Sequence, residues 1–267
     1  MFETHRSPGV QAILKILERE AGYSLDAKDK QVFSYFHHFI TSPEPRFITD
    51  LRADPKTEKW YHGLVNGVLG DVQNSLACVL YHSENLKSIE TNVLSAASKV
   101  DFRSAIGEST VAGGNTRALD FEYQAFVLSY RRCLDYWTRA ISSYFKNSFH
   151  SFRKADRYFS RFESSSVPGL LVPVIQEYRG HFDFVLSNGD AKSVRDRVSH
   201  YEYVPAGVFN LSRRGLVLYG GGEELLDGVQ TLSEAIDQRT LALRSFLREV
   251  IAKSVDGMRA DNINHSN

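Results

Sequence analysis

Two cysteines, two methionines and two tryptophans in 267 residues leave little material for a disulfide framework or a thiolate metal centre. Cys78 and Cys133 stand beside Val79, Leu80 and Leu134 in stretches of helical periodicity. That setting suits buried reduced thiols in a cytoplasmic protein. His37 and His38 are adjacent, His62 and His82 are far apart, and the chain has no helical His-x3-His or Cys-x2-Cys pair. No catalytic metal and no cofactor is therefore expected. No apolar run approaches the roughly 18 residues of a membrane span, and Met1 to Pro8 carries His5 and Arg6 with no signal-type run. The expectation is a chain with no membrane partner. An excess of either charge is also missing, since 32 Lys and Arg face 32 Asp and Glu. Any polyanionic partner must then be held by a local patch.

Apolar residues make up 42% of the chain, enough for a core without cross-links. They recur at helical spacing. Leu119, Tyr123, Phe126, Tyr130, Leu134, Trp137, Ile141 and Tyr144 form one stripe, started by Asn115 or Thr116 as cap, with Asp120 and Glu122 at the positive end of the dipole. A second helix is expected from Glu223 to Lys253, with Leu225, Val229, Leu232, Ile236, Thr240, Leu243, Leu247 and Val250 in line and Gly257 closing it. A third runs from Thr57 to Ser83 along Tyr61, Leu64, Val68, Val72, Leu76 and Val79, where Gly63, Gly67 and Gly70 suit the close approach of a neighbour. A fourth is expected after Pro168 and Pro173, through Ile175, Tyr178, Phe182 and Val185 to a Ser187-Asn188-Gly189-Asp190 turn. Asp190 would cap a short helix beyond it.

The fold class that follows is all-α: an antiparallel four-helix bundle over residues 56–257, with a helical extension over 1–55 and a flexible tail over 258–267. The extension holds helices over Val10 to Glu20 and Ala27 to Thr41. A small β-hairpin over Tyr203 to Phe209 and Leu216 to Tyr219 precedes the last helix, and Val100 to Asn115 reads as a long loop.

Chemistry concentrates in Arg195-Asp196-Arg197-Val198-Ser199-His200. A His titrates near neutrality and can take the proton of a ribose 2′-OH or give one to a leaving 5′-oxygen. An always-charged planar Arg can stabilise a pentacoordinate phosphorus. Residues five apart lie about 140° apart on a helix, so Arg195 and His200 do not share a face, whereas Asp196, four before His200, can orient the imidazole. In a bundle this segment resembles the R-x4-6-H motif of HEPN-domain proteins, including the polar residue after the Arg; the resemblance spans roughly Thr57 to Lys253. It implies metal-independent RNA cleavage, two motifs facing each other across a homodimer interface, roles in toxin, defence or RNA processing, and a regulatory protein partner. Val194, Val198 and Tyr201 would then meet the second copy.

The other readings of the same residues stay open. Arg195, Asp196 and Arg197 also suit a solvated helix face with His200 as a capping residue, and the whole chain a non-catalytic helical module binding a partner protein or nucleotide. Candidate substrate contacts are Arg197, Tyr201, Glu122 (facing Arg195) and Arg131, Arg132 and Arg139 of a cation belt interleaved with Tyr136, Trp137, Tyr144 and later aromatics. The belt's aromatics suit either base stacking or the core. Gly220-Gly221-Gly222 lacks the Lys and Ser or Thr of a phosphate loop and is followed by Glu223 and Glu224, so it reads as a joint.

Overall fold

In the computed structural model, residues 8–42, 45–101, 110–186, 192–200, 202–212, 215–220 and 230–264 are described. The chain runs through α1 (Pro8–Ala21), α2 (Ala27–Thr41), α3 (Arg46–Ala53), α4 (Glu58–Asn66), a π-helical turn (Gly67–Val72), α5 (Gln73–Ala97), β1 (Thr110–Ala112) and α6 (Arg117–Tyr144). It continues through α7 (Ala155–Phe159), α8 (Ser166–Tyr178), α9 (Val194–His200), β2 (Gly207–Ser212), β3 (Gly215–Gly220) and α10 (Leu232–Asn264). No helix among the described residues is long and apolar enough to cross a membrane.

All eight residues of the Leu119-to-Tyr144 stripe are buried, so α6 is the central rod. Side-chain partners give the helix directions. Gly67 faces Ala140, Cys78 Sγ lies 3.2 Å from Ser129 Oγ, and His82 Nδ1 lies 2.6 Å from Glu122 Oε2, so α4 and α5 run antiparallel to α6. Ser166 pairs with Asp261 and Tyr178 with Phe246, so α8 and α10 are antiparallel to each other. Tyr130 with Arg239 and Tyr144 with Asp261 make α6 and α10 parallel. The result is an antiparallel bundle of α4–α5, α6, α8 and α10.

The glycines expected to admit a neighbour divide two to one. A Cβ on Gly63 would come 2.5 Å from Ser143 Oγ, and one on Gly67 2.7 Å from Ala140 Cβ, but one on Gly70 would meet nothing within 4 Å. The single expected helix from Thr57 to Ser83 is interrupted by the π turn and extends to Ala97.

The helices α2 and α3 of the N-terminal extension, whose docking the sequence left open, pack on the bundle. Phe33, Phe36, Phe39 and Ile40 of α2 and Ile48 of α3 belong to the same buried cluster as α6 and α10. Buried Asp29 is bound by Arg248 Nη2 at 2.7 Å and Arg244 Nε at 2.8 Å. By contrast, every side chain described in α1 is exposed.

The end of the last helix and the start of α8 depart from expectation, and tertiary contacts act at both. α10 passes through Gly257 to Asn264, because Met258 and Asp261 are buried; the flexible tail expected over 258–267 is helix as far as Asn264. Gly257 is needed for contact, since a Cβ there would lie 2.7 Å from Val167 Cα. α8 starts before Pro168 because Ser165 Oγ accepts from Val167 N (3.2 Å) and Asp261 Oδ1 accepts from Ser166 N (2.5 Å). Pro168 then falls in the first turn, where no intrahelical N–H bond is lost, and Pro173 is carried inside the helix.

The expected hairpin is present but shifted, and the expected loop contributes β1, which pairs antiparallel with β2 to give the order β1-β2-β3. Asp120 delays the start of β2. Its buried carboxylate accepts from Tyr203 Oη at 2.6 Å and Ala206 N at 2.8 Å, holding that segment on α6. The expected hairpin turn at Arg213-Arg214, the Asp190 cap, the Gly221-Gly222 joint and the Glu223 start of the last helix lie outside the described residues.

Candidate functional site

α9 is short, and its start is fixed by a residue not anticipated as its cap. Buried Ser193 accepts from Asp196 N through Oγ at 3.2 Å, satisfying one of the unpaired N–H groups of the first turn. Val194 is buried in the core and Val198 packs against it, which anchors one side of α9. Val194 is therefore unavailable for the contact with a second copy expected of it.

This anchoring turns Arg195 toward α6. Arg195 is half-buried and donates from Nη1 to Asp196 Oδ1 at 2.9 Å. It lines an open groove of about 480 Å³ with Leu128, Arg131, Arg132, Asp135, Tyr136, Arg139 and His150. Four guanidinium groups and an imidazole thus line the groove with one carboxylate, Asp135, while Asp196 and Asp71 pair with Arg195 and Arg139 from beside it. Arg195 and three of the belt's arginines, 56 or more positions apart in sequence, meet in one place.

The cations differ in how firmly they are held. Arg131 Nε donates to Asp135 Oδ2 at 2.8 Å and its Nη1 to the Val185 carbonyl at 3.1 Å, while Asp135 Oδ1 accepts from Phe152 N at 2.9 Å. Arg139 lies 5.0 Å from the centre of the Tyr136 ring and pairs with Asp71 of the π turn at 2.5 Å. That pair is exposed, and exposed pairs contribute at most about 1 kcal/mol, so a phosphate can take the carboxylate's place. Arg132 is exposed and makes no ion pair among the described residues.

His200 is exposed at the last residue of α9 and is not among the residues lining the groove. Arg197 points elsewhere again, its Nε 2.5 Å from Glu202 Oε1, and its proximity holds the Glu202 carboxyl below the usual range. Tyr201 lies outside the described residues. Glu122 does not face Arg195, because its carboxylate is 2.6 Å from His82 Nδ1 on α5.

The belt's aromatics belong mostly to the core: Trp137, Tyr144, Phe152, Tyr158 and Phe159 are buried, leaving half-buried Tyr136 in the groove. Asp135, Tyr136 and Leu128 were legible as neighbours of Arg131 and Arg132 at helical spacing. His150 had no local signal, because it reaches the groove through the turn after α6, where Lys146 adopts φ 53° and reverses the chain.

Among the described residues no group of three or more His, Cys, Asp or Glu could hold a metal ion. No family model, curated protein or solved structure matches this chain.

Proposed function

We propose that this chain is a metal-independent endoribonuclease of the HEPN kind, with the RNA backbone lying in the groove between α6 and α9. The observation that supports this reading is the convergence of Arg195 with Arg131, Arg132 and Arg139 in a single open groove, in a chain with no net charge. A volume of about 480 Å³ falls within the roughly 300–1,000 Å³ of small-ligand sites. Guanidinium groups bind phosphate oxygens in a planar, bidentate fashion.

In the proposed reaction the 2′-oxygen loses its proton to an imidazole and attacks phosphorus. The bond from phosphorus to the 5′-oxygen breaks, and that oxygen leaves with a proton from a second imidazole or from water. The products are a 2′,3′-cyclic phosphate and a 5′-hydroxyl. Arg195 stabilises the charge that builds on the phosphoryl oxygens. Since Arg195 and His200 project about 140° apart, the His200 imidazole reaches a phosphate at Arg195 from a second copy, in a C2 homodimer. Asp196 positions the Arg195 guanidinium through their hydrogen bond.

A second reading, an RNA-binding or nucleotide-binding module without cleavage, is favoured by one observation: His200 lies outside the groove lining. The two separate in one assay. Single-stranded RNA incubated with the protein in excess chelator is expected to yield 2′,3′-cyclic phosphate ends. Arg195→Ala and His200→Ala are each expected to lower the rate by about 100-fold or more. Binding without products supports the module reading, and cleavage that needs added magnesium overturns the proposed chemistry.

A further inference from the structure

Phe121 is a large aromatic side chain left 59% exposed on α6, and Leu128, one of the groove residues, is 36% exposed. A single exposed apolar residue needs no explanation. The alignment does. At 100° per residue, Phe121, Leu128, Arg132 and Arg139 fall within about 20° of one line along the helix, and from Phe121 to Arg139 that line is about 27 Å long. All four are exposed, and the other side of α6 is packed into the core. The stripe therefore changes along its length from apolar and aromatic to cationic, and the cationic part forms the groove.

A stripe with an exposed ring at one end and guanidinium groups at the other matches the chemistry of an unpaired polynucleotide, whose phosphates and base faces need different partners. We propose that this face of α6 is a track for single-stranded RNA, in which Arg132 and Arg139 hold phosphates and Phe121 stacks on an unpaired base beyond the end of the groove. The roughly 16 Å between Phe121 and Arg132 is covered by a few nucleotides of extended strand. The proposal rests on the reading of the groove as an RNA site, and it adds to that reading a base contact and a path for the strand along α6. Charge favours a polyanion as occupant, because Arg132 makes no ion pair among the described residues and the Arg139 pair is exposed and exchangeable, and the exposed Phe121 ring in line with them favours a single-stranded polynucleotide among polyanions.

The test is binding of a fluorescent 2′-O-methyl oligoribonucleotide, which lacks the attacking hydroxyl, at several salt concentrations, with solution mass measured in parallel. Phe121→Ala is expected to weaken binding about tenfold with an unchanged salt slope, and Phe121→Trp to restore it. Arg139→Ala is expected to weaken binding and flatten the slope by about 0.7. If Phe121→Ala binds as the wild type does while Arg139→Ala is impaired, the track is wrong and the groove reading stands. If the wild type does not bind, both fail. If Phe121→Ala turns a dimer into a monomer with RNA affinity intact, the face is a protein interface and the proposal is overturned.

Discussion

Arg131 and Arg132 are adjacent in sequence and opposite in role. Arg131 is held by Asp135 and by the carbonyl of Val185, so Arg131→Ala leaves two acceptors short of a donor and is expected to lower stability by about 1–3 kcal/mol in denaturant unfolding. Arg132→Ala removes an exposed side chain, and its expected cost is within about 0.5 kcal/mol while RNA affinity falls. Glu90 provides a pH test. Burial raises the pKa of its carboxyl, with the hydrogen bond from Ser233 opposing the shift and Glu234 and Asp237 adding to it. A carboxyl whose folded value is raised contributes stability below its unfolded value and loses that contribution as pH rises through the folded one. Glu90→Gln is therefore expected to raise the Tm at pH 7, with the gain shrinking as pH falls through the carboxylate range. A Tm lowered at pH 7 would show that the Ser233 bond outweighs burial.

Helix periodicity was readable from sequence wherever an element buries one continuous face. The stripe of α6 is the clearest case, because burial there follows the 3.6-residue period until the last turn, where Ala140 to Tyr144 are all buried. Ends and interruptions were not readable, because they depend on partners far along the chain. Gly257 is a stop signal by composition, yet it serves as the point where Val167 approaches α10, and the turns beyond it carry Asp261. Asp261 accepts from Tyr144 Oη at 2.9 Å and from Ser165 Oγ and Ser166 N at 2.5 Å each. Asp261→Ala is expected to destabilise the protein by about 3 kcal/mol or more, as several hydrogen bonds to one buried charge are lost together. Unfolding within about 0.5 kcal/mol of wild type would show that the last turns of α10 are dispensable. Gly67→Ala tests the π turn in the same way. The added methyl would meet the Cβ and backbone of Ala140, and an expected loss of about 1–3 kcal/mol is readable as a lower denaturation midpoint.

At the scale of the whole molecule, zero net charge conceals a local concentration of arginine. Composition excluded a uniformly basic surface, and the helix period allowed Arg132 and Arg139 to be placed on one side of α6. The addition of Arg195 and His150 was not legible, since it depends on how the buried Val194 anchors α9 and how the chain reverses after α6. Pairing of Glu122 with His82 was hidden for the same reason, as only the antiparallel docking of α5 brings them together. The most direct measurement is the salt dependence of single-stranded RNA binding by the wild type and by a variant with Arg132, Arg139 and Arg195 all changed to Ala. Each phosphate contact on a single strand contributes about −0.7 to the slope of log K against log salt. The expected result is a steep slope for the wild type, flattened by about 2 in the variant, with both proteins equally folded. Equal slopes and equal affinities would contradict the assignment of this groove to RNA.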